Sequence, residues 1–285
     1  VNVLFAGAHD SKLRRGDLAG NDFDVLVTSC HVESAEALRR AEAIAASLRR
    51  TGWPNYFGKQ RFGKRGDGHV RGMALMATAM GDGTASRHKR TKILRSPTAR
   101  LTINGLQSML YNEYLARRVV GGGFPAVFGG CGDSIGPCPG AIVGDVLLHH
   151  DGSWSHFEAQ ASGEDGESGL KATECSGGPG CGEGGKSRRC AGDVASFSGP
   201  IFGEGMVQPK AGTSAAALEE DVLAQAGLTL EAFCSIKMEG SRRACRLRLD
   251  DDRVCLTIEV AGAHALRFRF FLPRGSYATV LLREF

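Results

Sequence analysis

Two stretches near the C-terminal end alternate apolar and polar residues with a period of two, and they limit the fold more than any other feature. Val254, Leu256, Ile258 and Val260 alternate with Cys255, Thr257 and Glu259; Leu266, Phe268, Phe270 and Leu272 alternate with Arg267, Arg269 and Phe271. Successive side chains of a strand point to opposite faces, so each run reads as a half-buried strand. A third such run, residues 22–28 with Phe23, Val25 and Val27 on one face, lies at the other end of the chain. Between these ends the sequence is helical or loop-rich. Residues 34–50 place Leu38, Ala41, Ala45 and Leu48 on one helical face, with Gly52 and Pro54 as stop signals. Residues 101–120 and 213–226 read as further helices, the second capped by Thr213 or Ser214 and stopped by Gly227. Residues 144–148 look like a strand entered from a turn, and residues 273–276 turn the chain into a short terminal helix. Strands at both ends of a mostly helical middle imply an α+β sheet domain interrupted by an inserted domain.

The chain has 285 residues, of which 42% are hydrophobic, an ordinary globular value. No apolar run approaches the roughly 20 residues needed to span a bilayer. The N-terminus begins at Val1 inside a strand-like run, without an initiator Met or a secretory signal, and reads as cut from something longer. Net charge is only +4 but unevenly distributed. Residues 61–118 hold twelve Lys or Arg against Asp67, Asp82 and Glu113, a net of +9; residues 149–198 hold eight acids against four Lys or Arg, a net of −4. A basic stripe of this kind suits a face that meets a polyanion, or else a solvated surface. Residues 149–198, rich in Gly, Ser, Cys and Glu without sustained periodicity, are expected to form a flexible surface insertion. Cys131, Cys138, Cys175, Cys181 and Cys190 lie in Gly-rich sequence without a CxxC pair, so neither a metal site nor a disulfide framework is expected. The thiols are read as reduced and the chain as intracellular.

The richest chemistry lies in Pro54-Asn55-Tyr56-Phe57-Gly58-Lys59-Gln60-Arg61-Phe62-Gly63. Two carboxamides, three aromatic rings, two basic groups and two glycines in ten residues can stack a base, hydrogen-bond its edge and hold phosphate. The same aromatics could instead simply plug a core.

This stretch resembles the N-Y-F-G-x-Q-R-F-G signature of the TruD pseudouridine synthases and matches it at every specified position. Residues 12–23, KLRRGDLAGNDF, are similar to the family's K-L-x-x-G-x-L-x-G-N-x-F block, and Gln107-Ser108-Met109-Leu110-Tyr111-Asn112 to its Q-S-x-L-[FW]-N helix, with Tyr111 departing at the aromatic position. Residues 199–203, GPIFG, resemble the G-P-[LI]-x-G turn, and Gly240-Ser241-Arg242-Arg243 the G-x-R-R segment. The final block, residues 272–284, is similar to L-P-x-G-S-[YF]-A-T-x-x-x-R-E. The blocks occur in family order across nearly the whole chain.

The resemblance implies a synthase domain at residues 1–80 and 252–285, interrupted by a TRUD insertion domain at 81–251. It implies isomerisation of uridine to pseudouridine in RNA, most often tRNA (family target uridine 13), by extrusion of the base and with no cofactor or metal. It places Asn55, Phe57 and Tyr277 at the substrate. Lys12, Arg14, Arg15, Lys59, Arg61, Lys64 and Arg65 are the candidate phosphate contacts, each equally a solvated charge. The partner is RNA, with neither membrane nor small-molecule cofactor, and the protein is expected to be a monomer. The family's catalytic aspartate belongs to a G-x-K-D-[KR]-x-[AG]-x-T segment tens of residues ahead of the block that starts here at Lys12, and is expected to lie upstream of Val1. Asp10, in Phe5-Ala6-Gly7-Ala8-His9-Asp10, is read as a connecting residue, with a displaced catalytic acid as the alternative. A catalytically inactive RNA-binding paralogue and a decayed gene product with no stable fold are the competing readings.

Overall fold

The computed structural model describes residues 6–8, 12, 19–80, 96–121, 141–149, 153–157, 172–173, 194–249 and 256–285. Asp10, Arg14, Arg15 and the five Gly-flanked cysteines fall outside the described residues.

The chain ends build one sheet. Strand β1 (Gly20–Val27) pairs antiparallel with a strand from the far end of the sequence, with Phe23 opposite Phe270 and Val25 opposite Phe268. Helix α1 (Ser34–Thr51) follows and lays Ala37, Ala41, Ala45 and Leu48 on that sheet, with Leu38 half-buried at the margin. It stops at Gly52, whose φ of +69° and close approach to the Leu247 carbonyl leave no room for a side chain. Strand β2 (Trp53–Pro54) and a 3-10 turn (Lys59–Phe62) lead into helix α2 (Gly68–Met80).

Helix α3 (Pro97–Val120) is the spine of a second core. Ser96 caps it by accepting a hydrogen bond from the Ala99 N–H, and Pro97 occupies the first turn, where a missing N–H costs nothing. It packs against α2 and against a five-stranded antiparallel sheet made of β3 (Val146–His149), β4 (Trp154–Phe157), β5 (Ala172–Thr173), β6 (Val194–Ile201) and β7 (Ser241–Ala244), in the order β5-β4-β3-β6-β7. Helices α4 (Ser214–Gln225) and α5 (Leu230–Ser235) close the cluster, with Thr213 and Thr229 as caps. Arg118 and Asp145 form a fully buried ion pair at 2.7 Å under the Phe197 ring. Within 149–198, expected to be irregular, β4, β5 and the start of β6 are strands. Strand β4 has four residues, of which only Ser155 is buried, and β5 has two, so neither is long enough to show a period against Gly-rich flanks.

Strand β8 (Arg246–Leu247) pairs with β2, so the chain enters and leaves the second unit on adjacent strands. Strands β9 (Leu256–Gly262) and β10 (Ala265–Pro273) then complete the first sheet in the order β1-β10-β9, and helix α6 (Ala278–Leu281) ends the described chain close to Phe285. Leu266, Phe268, Phe270 and Leu272 of the central strand are buried under α1. The alternation is weaker in burial at the edges, where Val27 and Val260 are 37% and 51% exposed because the helix covers only the middle of the sheet. Asp24, Arg267, Arg269 and Glu259 form a charged ladder on the uncovered face. Met76 of α2 sits in the second core although α2 precedes residue 81, while Leu249 belongs to the first.

Candidate functional site

The two cores meet where the 54–63 loop runs between α3 and the β7–β8 strands. Asn55 is 5% exposed and held on all sides. Its backbone N–H donates to the Cys245 carbonyl at 2.9 Å, its Nδ2 donates to the Ala244 carbonyl at 2.9 Å, and its Oδ1 accepts from Arg243 Nη2 at 2.7 Å. The backbone of Phe57 is gripped by a single side chain: its N–H donates to Asn112 Oδ1 at 2.8 Å, and its carbonyl accepts from Asn112 Nδ2 at 3.1 Å. The amide of Asn112 thus mimics a strand partner and fixes which way the Phe57 ring points.

That ring stands in an aromatic cluster. Tyr111 meets it edge-on at 5.4 Å between centroids and Tyr277 at 5.9 Å. Tyr277 arrives from the turn after β10, where Gly275 adopts a φ of +83°, so residues about 220 positions apart share one cluster. At its centre is Arg243. The guanidinium lies over Phe57 at 4.0 Å, with Tyr111 at 5.3 Å and Tyr277 at 5.9 Å. Its nitrogens donate to the Asn55 carbonyl (3.1 and 3.2 Å), to Asn55 Oδ1 and to the Gly275 carbonyl (2.8 Å). No carboxylate pairs with Arg243 among the described residues.

Helix α3 supplies the rest of the frame. Gln107 Nε2 donates to the carbonyls of Phe202 and Glu239, tying the end of β6 and the residues after it to the 239–243 segment, where Gly203 and Gly240 approach each other too closely for any Cβ. Ser108 Oγ accepts from Arg61 Nε at 3.0 Å, and Tyr111 donates its hydroxyl proton to the Ala244 carbonyl at 2.9 Å. Arg242, next to Arg243, is buried against Glu219 at 2.7 Å. Burial raises Tyr111 well above the usual tyrosine range and pushes the Cys245 thiol up to about 12, so both stay protonated at neutral pH. The cluster therefore offers π faces, amide and guanidinium donors, and no general base among the described residues.

Of the sequence-derived candidates, Asn55, Phe57 and Tyr277 come together. Lys12, Lys59, Lys64 and Arg65 are exposed. Arg61 is half-buried, bonded to Ser108 and 5.5 Å from the Phe57 ring, so it belongs to the frame of the cluster. Asn112 and Arg243 stand in the sequence only as letters of motifs, and the sequence gives them no role; for Asn112 the available signal is a polar residue within a motif on an otherwise buried helix face. A depression of about 670 Å³ on the uncovered sheet face, lined by Asp22, Asp24, Thr257, Arg269 and Phe271, shares none of these residues.

The architecture is a small sheet built from both chain ends, interrupted by a unit of helices and a five-stranded sheet, with an aromatic–amide cluster where the two meet. A solved structure of a tRNA pseudouridine synthase D from Methanosarcina mazei, described as putative, superposes with a TM-score of 0.56 at 20% identity, covering 94% of this chain and 69% of that one. The family model for tRNA pseudouridine synthase D (TruD) matches residues 1–85 and 184–285. The chain belongs to the TruD family. It is 33% identical over its whole length to the tRNA pseudouridine synthase D of a Thermus thermophilus strain, covering 63% of that protein, and 34% identical to that of an Anaeromyxobacter species, covering 66%. The chain thus spans under two thirds of the length of the Thermus relative.

Proposed function

We propose that this chain forms the substrate pocket of an enzyme that isomerises uridine to pseudouridine in tRNA, at the family's position 13. In that reaction the C1′–N1 glycosidic bond breaks, the detached uracil turns, and C5 bonds to C1′; C5 gives up its proton and N1 gains one. The target cannot react inside a helix, so the nucleotide is extruded, at a cost of a few kcal/mol. The observation that carries the reading is the meeting of Phe57, Tyr277 and Asn55 around one guanidinium. Stacking on a ring face contributes about 1–3 kcal/mol per base, enough to offset extrusion from a weak stack. The exposed Lys59, Lys64 and Arg65 beside the cluster are the phosphate contacts in this reading, with Lys12, Arg14 and Arg15 on the preceding segment. The carboxylate comes from outside the described residues, and the resemblance puts it ahead of Lys12.

The test uses the protein expressed from its complete reading frame and tRNA tritiated at uracil C5. Release of tritium at a rate that saturates with tRNA is the expected result. Salt-dependent tRNA binding without release would replace this reading with that of a non-catalytic RNA-binding protein.

A further inference from the structure

Arg243 does not behave like an RNA-contacting arginine. It is half-buried, its planar face lies against Phe57, and its edge donors point at three oxygens of two loops that are far apart in sequence. We propose that Arg243 is a positioning residue that fixes Phe57 and Asn55 against Tyr277, joining the 54–58 loop to the 273–277 turn as one pocket, and is not a phosphate contact. This deepens the reading under Proposed function and rests on it.

The chemistry requires arginine in particular. A guanidinium offers five donors in one plane and a π face at once, whereas an ammonium is a point charge that can neither stack on Phe57 nor reach both loops in one fork. Arg243 reaches from β7 of the second core to turns that border the first, and it is the one side chain among the described residues bonded to both Asn55 and Gly275. Its neighbour Arg242 points the opposite way, into Glu219 and the Ser198 carbonyl, as strand alternation demands. The two arginines of one motif therefore have different tasks: Arg242 anchors the strand, and Arg243 sets the pocket.

The test compares Arg243→Lys and Arg243→Ala in the protein from its complete reading frame. A displacement of about 1 Å at a reacting group can cost about 100-fold, so kcat is expected to fall about that far in both variants. KM should stay within about threefold, and the slope of log affinity against log salt should be unchanged, because a lost phosphate contact would lower it by about 1. Should Arg243→Ala fail to fold, Arg243→Lys carries the comparison, since it keeps the charge and most of the stem. A readout independent of catalysis comes from protein labelled with fluorotyrosine: the Tyr277 fluorine resonance, assigned by Tyr277→Phe, should broaden or split in Arg243→Lys. A wild-type rate in Arg243→Lys, a slope lowered by about 1, or an unmoved Tyr277 resonance would each overturn the proposal. Absence of tritium release from the wild type would instead count against the proposed function, with the fluorine spectrum still judging Arg243.

Discussion

Asn112 shows how much one amide can decide. Its Oδ1 and Nδ2 satisfy both backbone groups of Phe57, so the ring is aimed by a side chain on a helix 55 residues further along. Asn112→Ala should leave that half-buried N–H and carbonyl without partners and lower stability by about 1–3 kcal/mol, read as a shifted urea midpoint. Because Phe57 would lose its aim, kcat should fall by more than the stability loss accounts for at a temperature where the variant is fully folded. Asn112→Asp keeps the acceptor for the N–H but places a charge against the Phe57 carbonyl, so it should not rescue. Retention of full activity by Asn112→Ala would mean that the ring is held by packing alone. At this scale the sequence is half legible. Asn55, Phe57 and Tyr277 can be named because they stand in the motifs that carry the family resemblance; the residue types of the 54–63 loop alone leave aromatics that plug a core as an equal reading. Arg243 and Asn112 cannot be given roles, because their partners are backbone atoms at distant positions, and no local pattern encodes those.

Elements are easier to read than side-chain tasks. The period-two runs become β1, β9 and β10, and the strongly patterned stretches become α1, α3 and α4, because burial of one face enforces the period. Helix α2 escapes such a reading: its sequence, GHVRGMALMATAM, is apolar on several sides and gives no single stripe. The reason lies in its packing. Gly72 lets α2 approach α3 so closely that a Cβ there would stand 2.8 Å from both the Leu106 Cβ and the Thr102 carbonyl oxygen. Helix propensity alone would make Gly72→Ala stabilising by about 1 kcal/mol. The collision wins, because the oxygen belongs to the backbone of a helix and cannot swing aside; forcing two packed helices apart costs about 1–3 kcal/mol. Gly72→Ala is therefore expected to lower the thermal midpoint. A rise would mean that α2 sits less tightly on α3 than these distances require.

In the molecule as a whole, the second core and the candidate site share a layer of protonated groups. Tyr111, Tyr114 and Cys245 are buried beside the β7–β8 strands, and burial raises the pKa of all three. Desolvation is the leading cause in each case, with the nearby Arg118 and Arg243 acting against it. For Cys245 the ordinary value of 9.0 becomes about 12. The folded state then holds the proton more tightly than the unfolded one, so the thiol's share of stability is complete below pH 9 and is lost as pH rises from there through 12. Three pH units correspond to at most about 4 kcal/mol, approached only at the top of that window. Among the described residues the buried cluster of the first core holds no tyrosine or cysteine, Tyr56 being only half-buried between the two cores with its pKa raised by that burial, so alkaline unfolding should begin in the second core and dismantle the pocket with it. Urea unfolding compared at about pH 8 and about pH 10.5 should show a clear fall in midpoint for the wild type, and a smaller fall for Cys245→Ala, which starts lower because of the cavity it leaves. Thiol reagents should reach Cys245 only as fast as the second core opens. Equal falls in midpoint for wild type and Cys245→Ala would show that the buried thiol is not part of the alkaline limit, leaving it to Tyr111 and Tyr114.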